Sequence, residues 1–86
     1  MRSFTYTITD PLGIHARPAG LLAKTAKEYS DTVISVQKGG NTAHAGQLMR
    51  MMGLGIRQGD VITVSAEGAL EDAAIAAMRE FFRNNL

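Results

Sequence analysis

Residues 61–84 read VITVSAEGALEDAAIAAMREFFRN, and they change from an alternating pattern to a helical one within a few positions. In residues 61–67 apolar side chains occupy every second position, which is typical of a strand with one buried face. From residue 70 to about 84 apolar residues recur at helical spacing, and Glu71 and Asp72 lie in the first turn, where the helix dipole favours acids. The predicted inward face of this helix is Leu70, Ala73, Ala74, Ala77, Met78 and Phe81.

The same two patterns divide the rest of the chain. Alternation predicts strands at residues 3–9, 32–38 and 41–44, and helical spacing predicts helices at residues 16–29 and 46–54. The resulting order is βαββαβα. Because each strand has only one apolar face, we expect helices on one face of the sheet and water on the other, a two-layer α+β sandwich. No linker or repeat divides the 86 residues, so we expect a single domain, residues 1–86.

Composition and charge exclude several classes of function. The formal net charge is only +1, so the chain lacks the dense basic surface that nucleic-acid binding requires. There is no cysteine, and neither histidine has companions at metal-ligand spacing, so we expect no disulfide, metal or other cofactor. The chain shows no signal peptide and no apolar run of membrane-spanning length. We therefore expect a cytoplasmic protein without a membrane partner.

The stretch with the most chemistry is residues 13–19, GIHARPA, at the junction between a turn and a helix. Pro18 suits a first helical turn, where its missing N–H has no partner to lose, and with Ala16 it sets the geometry of the helix N-terminus. The positive end of the helix attracts anions and disfavours a charged imidazole. His15 is thus expected to be largely neutral near pH 7, with one ring nitrogen free to attack, beside the phosphate-binding guanidinium of Arg17. The residues alone leave open that His15 is an ordinary cap or surface histidine.

Residues 13–19 resemble the active-site signature of HPr, the histidine-containing phosphocarrier family of the bacterial phosphotransferase system. Further similarity to the family, in residues and spacing, lies at residues 54–56, 59–60 and 62–68. The resemblance implies an open-faced sandwich in which three helices cover one face of a four-stranded antiparallel sheet. It also implies that Nδ1 of His15 takes a phosphoryl group from enzyme I, that Arg17 stabilises this group, and that IIA components of sugar permeases receive it. Such a protein is a carrier and not an enzyme.

One position departs from the family pattern. Many members carry a serine at the start of the second helix that a dedicated kinase phosphorylates, and Gln47 occupies this position if the Gly39-Gly40 loop has one extra residue. Glutamine has no hydroxyl, so we expect no kinase regulation here. Two hypotheses stay open besides sugar uptake: a carrier of a regulatory or nitrogen-related phosphotransferase branch, and a regulatory protein that docks without phosphate. A free-standing enzyme is disfavoured, because a sandwich this small offers no deep pocket.

A carrier needs a surface that its partners recognise, and the first two helices supply candidates. On the first helix, the face opposite the core carries apolar and basic side chains next to Arg17. The second helix is too short to bury all its apolar residues, so some are expected outside, unless its methionines all fill the core. An apolar patch rimmed by charge is a candidate interface for a protein that we expect to be a monomer. The residues of this expected docking face are Gly20, Leu21, Lys24, Leu48, Met49, Arg50 and Met52.

Overall fold

The structure is a computed structural model that describes residues 1–86. Its elements are β1 (Arg2–Thr7), α1 (Ala16–Lys27), β2 (Thr32–Lys38), β3 (Asn41–His44), α2 (Leu48–Gly53), β4 (Val61–Gly68) and α3 (Glu71–Asn85). The strands form one antiparallel sheet in the order β1-β4-β2-β3, and residues of all three helices join the core on one of its faces. The predicted open-faced α+β sandwich is therefore confirmed.

The sheet has one buried face and one face open to solvent. The inward side chains of β2 and β4 are Ile34, Val36, Ile62, Val64 and Ala66, all of them buried. The residues between them face the solvent, and Val33 and Glu67 even lie opposite each other on adjacent strands. Because only one face of the sheet is buried, apolar and polar side chains alternate along each strand. This alternation is the pattern that predicted the strands.

Phe82 lies at the centre of the packing between α3 and the sheet. Its ring meets Phe4 and Tyr6 of β1 edge to face, with centroid distances of 6.1 and 5.7 Å. Aromatic pairs of this geometry each contribute roughly 0.5–1.5 kcal/mol beyond the burial of their area. The end of α3 is thereby held beside the segment that leaves β1, where the main-chain oxygen of Leu86 accepts the N–H groups of residues 9 and 10.

The inward face of α3 differs from the predicted one. The buried residues are Ala74, Ile75, Met78 and Phe82, whereas Leu70 and Ala73 are exposed and Ala77 and Phe81 are half-buried. The prediction for Leu70 and Ala73 was wrong because a run rich in alanine fits several helical faces equally well, whereas Phe81 packs against the edge of the core. The large ring that fills the space over β1 decides the face, and Phe81 and Phe82 cannot both point there, since neighbouring helical residues lie about 100° apart.

Helix α1 is shorter than the predicted residues 16–29. The main-chain N–H groups of Glu28 and Tyr29 bond to carbonyls three residues back, at 3.1 Å each, which tightens the last turn and ends the helix at Lys27. Tyr29 nevertheless packs against the core.

Across the whole chain, none of the helices combines the length and the apolar character needed to cross a bilayer.

Strand β1 ends at Thr7, two residues before the predicted end at residue 9. Ile8 is buried but leaves the ladder with β4. Its N–H donates to the carbonyl of Asp60 (3.0 Å), and its carbonyl accepts the N–H of Gly59 (2.8 Å). The chain between β1 and α1 is therefore held by the loop that precedes β4.

Candidate functional site

His15 is the N-cap residue of α1, with the extended backbone angles φ −116° and ψ −179°. Its carbonyl accepts the N–H of Ala19 at 3.0 Å, as the first bond of a helix requires. Its side chain makes no capping hydrogen bond and is 36% exposed. The imidazole therefore does not act as a helix cap, and it is accessible from solvent.

The first turn of α1 offers unused hydrogen-bond donors next to this ring. The main-chain N–H groups of Ala16 and Arg17 have no acceptor within the protein, and no acidic residue lies in the first turn. Pro18 is buried in this turn, where its lack of an N–H leaves no bond unmade. The helix N-terminus therefore presents partial positive charge to the solvent beside His15.

A cavity of about 190 Å³ brings the predicted residues together. It is lined by Asp10, His15, Arg17, Pro18, Leu21 and Asn85. Arg17 is exposed and has neither an ion-pair nor a hydrogen-bond partner, so its guanidinium is available to an anion. Sequence reasoning missed two of the lining residues. Asp10 lies before residues 13–19 in a stretch whose sequence, Asp-Pro-Leu-Gly, indicates only a turn, and Asn85 lies at the far end of the chain, where no local pattern connects it with His15.

Asp10 is held in place on the side of the ring that bears Nε2. One carboxylate oxygen, Oδ1, accepts the N–H of Leu12 at 2.8 Å, which is an Asx-turn. The carbonyl of Asp10 accepts the N–H of Gly13 at 2.9 Å. The other oxygen, Oδ2, lies 3.8 Å from Nε2 of His15. The second ring nitrogen, Nδ1, is therefore the one without a carboxylate beside it.

The turn before His15 packs closely against the loop that precedes β4. Gly13 has φ +64°, and a Cβ at this position would lie 2.3 Å from the carbonyl oxygen of Ile56. The same carbonyl accepts the N–H of Ile14 at 3.2 Å. Only glycine fits both the backbone angle and the space, so this contact fixes where the chain enters α1.

An ion pair braces that loop in turn. Nζ of Lys38 donates to the carbonyl of Gly55 (2.7 Å) and lies 2.9 Å from Oδ2 of Asp60. The N–H of Arg57 donates to the same carboxylate oxygen at 2.8 Å. The hydrogen bond from Lys38, followed by that from the Arg57 main chain, holds the pKa of Asp60 below its usual value. The end of β2 is thereby tied to the segment that supports His15.

The expected docking face lies outside the core, beside the cavity. Helices α1 and α2 pack side by side, and Leu21, Leu48 and Met52 are all exposed, as is Met49 at 78%. Met51 alone of the α2 methionines is buried, so the alternative that all of them fill the core is wrong. The basic members Lys24 and Arg50 are exposed without an ion-pair partner, and Gly20 is half-buried.

Two other sequence predictions concern positions away from this cavity. Gln47 is the exposed N-cap residue of α2, and its side chain makes no capping bond. His44 lies at the end of β3, in a second cavity of about 250 Å³ that also contains Lys27 and Tyr29. No group of three or more histidine, cysteine or acidic side chains lies close enough together to hold a metal ion.

Comparison with known proteins agrees with this architecture. The family model described as "PTS HPr component phosphorylation site" matches residues 2–84. The phosphocarrier protein HPr of Mycoplasma genitalium is 39% identical over 85 residues, which are 99% of this chain and 97% of that protein.

Solved structures agree as well. A histidine-containing phosphocarrier protein from Mycoplasma superposes with a TM-score of 0.92 at 34% identity, covering 96% of this chain and 93% of that chain. An HPr dimer from Thermoanaerobacter tengcongensis superposes with a TM-score of 0.76 at 38% identity, covering 98% and 95%. The chain therefore belongs to the HPr family, the phosphocarrier proteins of the phosphotransferase system.

Proposed function

We propose that this phosphocarrier accepts its phosphoryl group on His15, with enzyme I as the donor and IIA components of sugar permeases as the acceptors. The observation that supports the assignment most directly is the uncapped, partly exposed ring of His15 at the N-terminus of α1. An exposed nucleophile at a helix N-terminus lies where the peptide dipoles stabilise the negative charge it will receive.

The transfer needs little beyond positioning and charge neutralisation. Nδ1 of His15 attacks the phosphorus atom while the bond between phosphorus and the donor breaks, and onward transfer to the acceptor reverses these events. The free N–H groups of the first turn and the guanidinium of Arg17 offer hydrogen bonds to the phosphoryl oxygens. Because the transferred group resides on the carrier itself and the carrier has no substrate of its own, we propose that it takes part stoichiometrically in each transfer, as a carrier and not as an enzyme.

The partners are proposed to bind the docking face. Its centre is apolar, with Met49 the most exposed of the apolar α2 side chains, and its basic residues Lys24 and Arg50 have no partner within the protein. This combination suits partner surfaces that have an apolar centre and acidic residues around it. We propose that the carrier docks as a monomer, although a relative from Thermoanaerobacter tengcongensis has been crystallised as a dimer.

The position of Gln47 bears on regulation. As the exposed N-cap residue of α2 it borders the docking face, next to Leu48. A phosphoryl group placed there would change the charge of that surface, but glutamine offers no hydroxyl to receive one. We therefore propose that this carrier is not regulated by a kinase at α2.

The experiment that tests the assignment uses the two histidines as a matched pair. Incubation with enzyme I and phosphoenolpyruvate should add one phosphate that is labile in acid and stable in base. His15→Ala should lose this adduct, whereas His44→Ala should keep it at the wild-type level, because His44 lies in the other cavity. An unmodified wild-type protein in the presence of a competent donor, or an adduct that depends on His44, would contradict the proposal.

A further inference from the structure

The carboxylate of Asp10 faces the edge of the His15 ring that is opposite the proposed phosphoacceptor nitrogen. We propose that Asp10 is a positioning residue that holds the ring proton of His15 on Nε2 and so keeps the lone pair of Nδ1 free for the incoming phosphoryl group. This inference rests on the proposed role of His15. It adds a residue that has no part in the His-x-Arg-Pro pattern.

Hydrogen bonds to the backbone and to one carboxylate oxygen of Asp10 restrict the orientation of its side chain. Oδ1 is occupied by the N–H of Leu12, at 2.8 Å, and the N–H of Asp10 itself donates to the main-chain oxygen of Leu86 at 2.9 Å. These bonds orient the carboxylate so that Oδ2 is left 3.8 Å from Nε2. That distance exceeds a hydrogen bond, but such contacts are often long in free proteins and shorten when a partner closes the site.

The chemistry of the two groups determines which nitrogen carries the proton. An ionised carboxylate can only accept, so it favours the tautomer in which Nε2 carries the hydrogen. Asp10 is the only acidic residue that lines the cavity, and the only other charged neighbour there, Arg17, can only donate. Nδ2 of Asn85 donates to the carbonyl of Phe81 at 3.0 Å, and its Oδ1 is an uncharged acceptor. No other group in the cavity therefore competes with Asp10 as a charged acceptor for the ring proton.

With the proton fixed on Nε2, both transfers proceed without moving it. The lone pair of Nδ1 forms the bond to phosphorus, and the electrons of the broken bond leave with the donor. The phosphorylated ring then carries a positive charge that the Asp10 carboxylate offsets. When the acceptor attacks, the electrons of the nitrogen–phosphorus bond return to Nδ1, and the ring leaves as the neutral Nε2–H form. The atoms and charges balance at each step.

Asp10→Asn is the most informative variant. Asparagine has nearly the same size as aspartate, but it should reverse the tautomer preference of the His15 ring. Its Oδ1 can still accept the N–H of Leu12, which keeps the Asx-turn and directs the amide NH₂ toward Nε2. That amide donates, so it favours the tautomer with the proton on Nδ1 and blocks the nucleophile. Asp10→Ser keeps a turn-forming oxygen but places nothing against the ring, and it serves as the matched control.

The test measures tautomers by ¹⁵N NMR of histidine-labelled protein, at a pH where the ring is neutral, and phosphorylation rates with enzyme I and phosphoenolpyruvate. Wild type should be in the Nε2–H form, Asp10→Asn should shift toward Nδ1–H, and Asp10→Ser should lie between them. The rate in Asp10→Asn should fall about tenfold or more, which is the size of effect seen when carboxylates that orient metal-ligating histidines are lost. The amide spectrum checks that each variant is folded.

The possible outcomes separate this inference from the proposed function. Equal tautomer populations in wild type, Asp10→Asn and Asp10→Ser overturn the role of Asp10. If Asp10→Asn does not fold, wild type and Asp10→Ser still provide the comparison, and identical spectra for His15 in these two overturn it as well. A tautomer contrast in a wild-type protein that takes no phosphoryl group supports the pairing and overturns the proposed function instead.

Discussion

Two regions of the molecule each combine a histidine, a basic side chain and a shallow cavity. His15 and Arg17 line a cavity of about 190 Å³ at the N-terminus of α1, and His44 and Lys27 line one of about 250 Å³ at its C-terminus. The 12 residues of α1 separate the two ends by about 18 Å. The first end presents main-chain N–H groups and the second presents carbonyls, so the helix dipole favours a phosphoryl group only beside His15.

The backbones that carry the two histidines differ as well. His15 follows a turn that packs against the loop preceding β4 and faces an oriented carboxylate. His44 ends the edge strand β3, pairs with Ser35 of β2, and has no acidic residue in its cavity. The comparison teaches that a histidine and a cavity do not by themselves mark a phosphoacceptor. Helix polarity and a fixed ring orientation distinguish the two places.

The largest expected effect is a loss of folding stability when the glycine in the turn before each histidine is replaced. Gly13→Ala should destabilise the protein by about 3 kcal/mol, because alanine is strained at φ +64° and its Cβ would lie 2.3 Å from the carbonyl oxygen of Ile56. Gly39→Ala, in the hairpin before β3, has a similar φ of +58° but open space around the Cβ, and should lower stability by only about 1 kcal/mol. Urea unfolding measures both values. Equal losses would mean that the contact with Ile56 contributes nothing.

The next effect concerns the basic side chain in each cavity. Arg17→Ala should slow phosphorylation by enzyme I roughly 100-fold, as the loss of one oriented donor to a developing charge typically does. Lys27→Ala should change the rate by less than about twofold, because Lys27 lies near the carbonyl end of α1. Rapid-quench measurements of phosphohistidine formation give both rates. A comparable loss in the two variants would show that net charge, and not position, controls the reaction.

A smaller effect is expected at the surfaces beside the two cavities. Met49→Asp should slow transfer from enzyme I about tenfold with folding intact, because it places a charge in the apolar centre of the docking face. Val33→Asp, equally drastic and also exposed, lies on the open face of the sheet beside the His44 cavity and should leave transfer unchanged. Steady-state kinetics with varied carrier concentration distinguish the two. Unchanged kinetics in Met49→Asp would remove α2 from the proposed interface.

The sequence predicted those features of the site and the fold in which residues that are close in space are also close in the chain. His15 is the N-cap of α1, and Arg17, Pro18 and Leu21 lie in its first two turns, so the clustering of the four residues follows from helical spacing. Strand positions followed from one-sided burial. The predicted inward face of α3 was wrong for Leu70 and Ala73 and omitted Phe82, because only the three-dimensional packing of Phe82 against β1 distinguishes this face from other alanine-rich faces.

Two residues of the site could not be assigned from the sequence, for different reasons. The Asp-Pro-Leu-Gly stretch that starts at residue 10 is explained completely by a turn, so nothing in it indicated that the second carboxylate oxygen faces His15. Asn85 reaches the cavity only because the aromatic cluster around Phe82 docks the end of α3 there. Its contribution depends on long-range packing that no local pattern contains.

The smallest effect concerns the brace behind the His15 turn and depends on pH. The pKa of Asp60 is lowered in the folded protein by the hydrogen bonds from Lys38 and Arg57, so its contribution to stability is present above the carboxyl's unfolded pKa. That contribution is lost as the pH falls below about 4 and Asp60 takes up a proton. Asp60→Asn should therefore lose less stability than wild type between pH 6 and pH 3, in urea unfolding followed by circular dichroism.

Asp31→Asn, exposed and without an ion pair, is the matched control. Its free energy of unfolding should change with pH as in the wild type. If Asp60→Asn and Asp31→Asn behave alike, Lys38 does not support the turn through its charge, and the hydrogen bond from its Nζ to the carbonyl of Gly55 is the remaining contact of Lys38 with the loop that supports His15.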